Sequence, residues 1–306
     1  MSSLKTTYHN NQVFWKKLLK EGLCNDQWDW DWTTLGALSQ SSNKKVTAAV
    51  VAKSEGIWVG EGLLTTVADL SHEMGLAISV KHYLKDGEKL KPGKPVCTWT
   101  GPARAVLAFE RPFLNLASYA SGIASATFRL VEIVRETWKQ TKTSKNSEPP
   151  RITATRKILP FYRDLCIWAV KAGGGYSHRV NLAGGVLIKE NHIATAGSIR
   201  RAIYGAKQVA PHGLKIEVEV TSVNELSEAV EAGAEGVLLD NFNPGRVKEA
   251  IRFLGGVDKK VFIEVSGGIN EKTVSGYVMP GVDIISAGGI THSVRSIDLS
   301  MLIGIK

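Results

Sequence analysis

After Arg151 the chain repeats one pattern six times, and that repetition limits its fold more than anything else in the sequence. Short β-rich runs (RITAT, GVLIK, LKIEVEV, GVLLD, VFIEVS and DIISA) begin near residues 151, 185, 214, 236, 261 and 283. Amphipathic stretches such as Val223–Ala232 and Pro244–Phe253 separate them. Strands that alternate with helices cannot be joined by tight hairpins, so they pair in parallel, as a (β/α) barrel or a doubly wound sheet. The runs are apolar on both faces for much of their length, as parallel strands covered on both sides must be.

The first half has a different texture. Val46–Ala52, Leu76–Val80 and Pro95–Thr100 read as strands, with a helix over Gly60–Ser71. Asp86-Gly87 and Pro92-Gly93 are turn signals, and Gly101-Pro102 stops a strand. A long helical stretch follows from Pro102 to about Thr141, with one expected interruption at Ser121-Gly122. Phe14 and Leu18, four apart among lysines, predict a short amphipathic helix, not a secretory signal. Lys139–Pro150 is polar and proline-ended, a loop or insertion.

Composition excludes several classes. At 306 residues, 43% hydrophobic and 22% charged, the chain is globular, with no apolar run long enough to span a bilayer. Cys24, Cys97 and Cys166 are odd in number and form no C-x-x-C, which argues against a thiolate zinc site and for reduced thiols in the cytoplasm. The net charge of +9 is concentrated between Arg135 and Arg163, where eight basic residues face only Glu136 and Glu148. No aromatic platform accompanies them, so an anionic small substrate explains the run better than nucleic acid.

Candidate chemical residues collect where the strands end, the face on which parallel α/β folds build their sites. Three chemistries are present. Arg156, Lys157, His178, Arg179 and Lys189 are cationic, and arginine forks match carboxylates. Glu219 and Asp240 lie on successive strands and suit a hard cation such as Mg²⁺, with Glu217 on the same strand face as Glu219. Ser266-Gly267-Gly268 and Gly288-Gly289 follow the last two strands, where a barrel binds phosphate. Gly173–Gly175 follows a helix and reads as a C-cap and tight turn. One pocket with all three features fits the joining of a carboxylated base to a 5-phosphoribosyl group. A lyase using Lys189 as a Schiff-base amine is the weaker enzyme reading.

From about Thr33 onwards the sequence resembles the quinolinate phosphoribosyltransferases. The resemblance rests on ERPFLNLASYASGIASAT (Glu110–Thr127), TRK (Thr155–Lys157), GGGYSHR (Gly173–Arg179), LIKENHI (Leu187–Ile193), IEVEV (Ile216–Val220), LLDN (Leu238–Asn241), VSGGI (Val265–Ile269) and SAGGITHS (Ser286–Ser293). It implies an N-terminal α/β sandwich domain over 1–117 with the tail 290–306, and an open, incomplete α/β barrel over 118–289. The implied reaction consumes quinolinate and phosphoribosyl pyrophosphate and yields nicotinate mononucleotide, pyrophosphate and CO₂. By the resemblance, Arg156, Lys157, Arg179 and Lys189 bind the quinolinate carboxylates beside His178 and Thr155. Arg111 reaches the site of a neighbouring subunit in a homodimer, Glu219 and Asp240 serve phosphoribosyl pyrophosphate and Mg²⁺, and Ser266, Gly267, Gly268, Gly288 and Gly289 cradle the 5′-phosphate. Lys157, Lys189, Glu219 and Asp240 carry the catalytic roles. The chain departs from the family's Asp-Thr-Arg-Lys-Thr at Ala154 and Ile158, from its Pro-Gly at Phe161, and from its Asn at Ser177. Ile158 and Phe161 are expected to narrow or grease the pocket, which leaves another heterocyclic carboxylic acid open as the acceptor.

Overall fold

A computed structural model describes residues 12–141, 148–257 and 260–304. Most of the Lys139–Pro150 segment therefore lies outside the described residues. The chain divides into two compact units, one of Met1–Ala126, Asp164–Gly173 and Val294–Lys306, the other of Thr127–Arg163 and Gly174–Ser293.

In the first unit β1 (Lys45–Ala52), β2 (Gly56–Ile57), β3 (Ser79–His82), β4 (Lys89–Leu90) and β5 (Pro95–Pro102) combine with the C-terminal strand Leu299–Ile303. β1 sits in a four-stranded antiparallel sheet between the C-terminal strand and β5, with β3 beyond β5. Helices α1 (Gln12–Asn25), α2 (Trp32–Ala37), α3 (Glu61–Glu73), most of α4 (Ala103–Gln140) and α5 (Arg163–Ala172) complete it. α1 is amphipathic as its spacing implies, but the stripe it buries is Trp15, Leu18, Leu19 and Leu23 rather than one built on Phe14. The Leu76–Val80 strand is displaced to Ser79–His82. Leu76 and Ile78 are buried ahead of it, and Ala77 takes φ 20°, outside strand geometry.

The expected break at Ser121-Gly122 does not occur, because α4 is continuous from Ala103 to Gln140 and carries Pro112 within it. The small residues there serve close approach instead. Ser121 Oγ accepts the Val59 N–H at 3.0 Å and Ser125 Oγ accepts the Ile57 N–H at 2.8 Å, satisfying buried backbone donors. A Cβ on Gly122 would overlap the Arg295 carbonyl oxygen. Asp86 Oδ1 caps the start of α3 by accepting the N–H groups of Gly60 (2.7 Å) and Glu61 (3.0 Å), and its Oδ2 accepts Trp168 Nε1–H at 2.6 Å.

The second unit is built on seven strands in the order β7-β6-β12-β11-β10-β9-β8, every neighbouring pair parallel. These are β6 (Arg151–Ala154), β7 (Tyr176–Ser177), β8 (Val186–Ile188), β9 (Ile216–Val220), β10 (Gly236–Asp240), β11 (Phe262–Ser266) and β12 (Ile284–Ser286). All six repeated runs form strands, and the two-residue β7 is an addition that the sequence did not advertise. β7 and β8 do not pair with each other, so the sheet is an open barrel. The helices α6 (Glu190–Ala196), α7 (Ile199–Val209), α8 (Val223–Glu231), α9 (Pro244–Gly255) and α10 (Gly289–His292) follow strands of this sheet. Ile152, Val218, Val220, Val237, Leu239, Ile263, Val265 and Ile285 form its core. Ser198, Ser222 and Asn243 cap α7, α8 and α9 by accepting a backbone N–H three residues on, which fixes where each of these helices begins. Among the described residues no helix is long and apolar enough to cross a membrane.

Candidate active site

A cleft of about 740 Å³ opens at the carboxyl ends of these strands. Thr155, Arg156 and Lys157 after β6, His178 and Arg179 after β7, Lys189 after β8, Glu219 on β9 and Asp240 on β10 all line it. So do Ser266, Gly267 and Gly268 after β11 and Gly288 and Gly289 after β12. The side chains that sequence position grouped into three chemistries therefore meet on one rim. Arg111 is not among the lining residues. It lies on α4 in the first unit, largely exposed, 3.8 Å from Glu110.

The acidic part is partly compensated by its neighbours. Lys189 Nζ donates to Glu219 Oε2 at 2.5 Å, and Asn241 Nδ2 donates to Asp240 Oδ2 at 2.7 Å. Burial and the like charge of Glu219 raise the pKa of Asp240, while Asn241, Lys189 and Lys157 pull it back. The glycines have steric reasons. Gly267 and Gly268 take φ of +99° and +64°, and a Cβ on Gly267 would overlap the side chain of Asn241. Gly288 lies against His292, where a Cβ would come within 3.0 Å of Nε2. At Gly268 and Gly289 nothing lies within 4 Å of where a Cβ would stand, so the backbone there is open to close approach by a ligand. Gly173–Gly175 lie outside this rim, and Gly174, at φ +84°, ends α5 as a capping turn.

Arg179 reaches the cleft half-buried, its Nη1 donating to Gly185 O at 3.2 Å. Burial first, then the neighbouring Arg156 guanidinium, hold its pKa below the ordinary arginine value. Two arginines close enough to perturb one another form a natural grip for a small dianion.

His178 borders the cleft beside Arg179, and its Nε2 looks onto two buried carboxylates, Glu264 at 3.2 Å and Glu217 at 3.4 Å. Its Nδ1 accepts the Arg179 backbone N–H at 2.7 Å. Burial disfavours the imidazolium, yet hydrogen bonds to the two glutamates outweigh it and raise the pKa to about 9. The Arg179 N–H on Nδ1 opposes that second ring proton. The paired acids share in holding that proton, because burial and Glu264 both push the pKa of Glu217 up. Either placement leaves the three groups with one net negative charge, and in either the folded chain holds the extra proton more tightly. The sign for stability follows: the contribution is complete below the unfolded histidine value of 6.5 and is lost as pH rises through about 9. Melting temperature is expected to fall across that window, and Glu217→Gln, which needs no such proton, should flatten the fall. An unchanged slope in Glu217→Gln would reject the assignment.

Glu264 escaped the sequence reading because it sits inside the apolar run VFIEVS; a lone charge in the middle of a parallel strand was the signal. Asn241, Asn270, Ser286 and His292 also line the cleft without having been assigned a role. Ile158 and Phe161, expected to narrow the pocket, are not among its lining residues. Phe161 is 85% exposed and adopts φ +69°, so its side chain points into solvent.

The comparisons with known proteins agree with this geometry. The family model "Quinolinate phosphoribosyl transferase, C-terminal domain" matches residues 123–302, and its N-terminal counterpart matches 31–121. A probable nicotinate-nucleotide pyrophosphorylase [carboxylating] of Archaeoglobus fulgidus is 38% identical, covering 87% of this chain and 97% of its own. The human nicotinate-nucleotide pyrophosphorylase [carboxylating] is 35% identical over 83% of this chain and 81% of its own. The solved nicotinate-nucleotide pyrophosphorylase of Francisella tularensis superposes with a TM-score of 0.83 at 31% identity, covering 95% of this chain and 96% of that one. A cleft with paired arginines, paired carboxylates and two glycine turns, in a chain matched over both halves, places this protein in the quinolinate phosphoribosyl transferase family.

Proposed function

We infer that this chain transfers a 5-phosphoribosyl group from phosphoribosyl pyrophosphate to quinolinate, releasing pyrophosphate and CO₂ and forming nicotinate mononucleotide for NAD biosynthesis. The observation that carries the reading is the convergence of the cations, the acid pair and both glycine turns on one cleft. Arg156, Arg179, Lys157 and Lys189 grip the two carboxylates of the acid. The backbone at Ser266–Gly268 and Gly288–Gly289 receives the 5′-phosphate. Glu219 and Asp240 face the ribose, where positive charge builds at C1 as pyrophosphate departs, and fixed carboxylates stabilise that charge without reorganising. The ring nitrogen then attacks C1. The resulting pyridinium draws electrons from the bond to the C2 carboxylate, CO₂ leaves, and C2 takes up a proton. No side-chain nucleophile is needed, because the protein's main contribution is geometry.

The donor set suits Mg²⁺. Glu219 and Asp240 are hard oxygen donors, and burial together with the like charge of Glu219 raises Asp240's pKa, an excess that a cation relieves. These two residues would hold the ion, which when bound supplies charge neutralisation for the pyrophosphate.

The exposed Arg111 belongs to the same reading, as the residue that a second copy of the chain would insert into this cleft. Mixing Arg111→Ala protomers with Glu219→Ala protomers should restore activity at about a quarter of the sites, since each two-fold hybrid contains one intact cleft. Confirmed hybrids without rescue would reject the shared site. The free thiols of Cys97 and Cys166, both buried, fit a cytoplasmic setting.

The deciding experiment is an incubation of purified protein with quinolinate, phosphoribosyl pyrophosphate and Mg²⁺. CO₂ and pyrophosphate should appear in equal amounts, and absence of turnover would reject quinolinate as the acceptor.

A further inference from the structure

Beneath the acid-binding arginines a line of buried polar groups crosses the barrel interior. Thr153 and Ser286 share a hydrogen bond of 2.6 Å between their hydroxyls. Ser286 Oγ donates to Glu264 Oε1 at 2.5 Å, and Glu264 Oε2 faces His178 Nε2 at 3.2 Å. Glu217 faces the same nitrogen at 3.4 Å. The line ends where His178 Nδ1 accepts the Arg179 N–H. Thr153 is on β6, Ser286 on β12, Glu264 on β11 and Glu217 on β9, so four strands contribute to holding one imidazole.

The location matters because the main chain at His178 and Arg179 has little else to fix it. β7 ends at Ser177, and its ladder to β6 stops at the Ala154–Ser177 pair. The run from His178 to Gly185 then crosses to β8 at the opposite edge of the sheet. No strand pairing reaches Arg179. Its backbone N–H is held by the His178 ring, and its guanidinium by Gly185 O.

Two buried glutamates are a costly way to build a core, since apolar residues of similar volume are often as stable or more so. Glu264 is 1% exposed and Glu217 5%, yet both are kept beneath a cleft that binds an acid. Glu217 also lies close enough to Arg179 to favour its charged guanidinium, which offsets part of the repulsion from Arg156 before any substrate arrives.

We propose that Glu264 is a positioning residue for acid recognition: it fixes the His178 ring, and through it the main chain of Arg179, so that the Arg179 guanidinium enters the cleft where a substrate carboxylate lies. The proposal rests on the reading of the cleft as a quinolinate site. It makes Glu264 specific to one of the two substrates, whereas a purely structural role would affect both.

The test measures quinolinate binding by calorimetric titration, KM for each substrate, and melting temperature, in the wild type and in Glu264→Ala, Glu264→Gln and Ser286→Ala. Glu264→Ala should weaken quinolinate binding about tenfold or more, the scale of one hydrogen bond to a charged group. KM for phosphoribosyl pyrophosphate should stay within about twofold. Glu264→Gln should recover most of the loss, because the amide oxygen can still face His178 Nε2 and the NH₂ can donate to Ser286 Oγ. Ser286→Ala, the milder change should Glu264→Ala fail to fold, should weaken quinolinate binding alone by a smaller factor. Unchanged quinolinate affinity in the variants, equal loss for both substrates, or a Gln variant as damaged as the Ala variant would overturn the proposal. A wild-type protein that neither binds nor turns over quinolinate would instead reject the reading of the cleft.

Discussion

Arg156→Ala is expected to weaken quinolinate binding by about 2–5 kcal/mol, roughly thirtyfold to several thousandfold in Kd, the range for removing one partner of a hydrogen-bonded charge pair desolvated on binding. The free protein should not suffer. Arg156 is exposed in the open cleft and works against its neighbour, since its guanidinium helps hold Arg179 below the ordinary arginine pKa. Removing it relieves that repulsion, so the melting temperature without ligand should stay level or rise slightly while affinity collapses. Arg179→Ala should also lose affinity, and the double variant should lose less than the sum of the singles, because both side chains grip one small ligand. Calorimetric titration with quinolinate, beside melting curves of the ligand-free proteins, checks both halves. A destabilised Arg156→Ala protein with intact affinity would remove this residue from the acid site.

The second large effect is on turnover. Glu219→Gln is expected to lower kcat by about 10²–10³-fold, the cost of removing one fixed charge aimed at a developing opposite charge. KM for quinolinate should change far less. The substitution also takes the carboxylate partner from Lys189 Nζ, which now donates to Glu219 at 2.5 Å, and leaves Asp240 without its like-charged neighbour. Asp240's pKa should therefore fall toward the usual carboxylate value. Single-turnover kinetics with phosphoribosyl pyrophosphate in excess separate the chemical step from product release. A Glu219→Gln enzyme with wild-type single-turnover rate would show that the charge at this position does not act on the reacting ribose.

Much of the site was legible because parallel α/β architecture ties chain position to spatial position. A strand's carboxyl end is visible in sequence as the point where an apolar run meets a polar or glycine residue, and the fold gathers those points on one face. Arg156, Lys189, Asp240 and the two glycine turns were found that way. Where a functional residue lay inside a strand, the rule failed. Glu264 is buried in the middle of an apolar run, and in sequence Glu217 shows only as sharing a face with Glu219; what each does depends on which strand lies beside which. Chain order places β11 and β12 far from β7, while the sheet order β7-β6-β12-β11 brings His178 to Glu264. The uninterrupted α4 failed for a related reason: Ser121-Gly122 reads locally as a helix break, and only packing against the Ile57–Val59 backbone and Arg295 explains small residues there.

The sequence by itself determined the class of fold, the six repeated strands, the chemistry at their ends and the family resemblance, because each is written in local pattern and residue type. Tertiary structure alone decided that His178 Nε2 faces two buried acids, that Phe161 faces solvent, and that Arg179 hangs from an imidazole instead of a sheet ladder. Those outcomes depend on distances between side chains remote in sequence, and such distances come into being only when the strands take their places in the sheet.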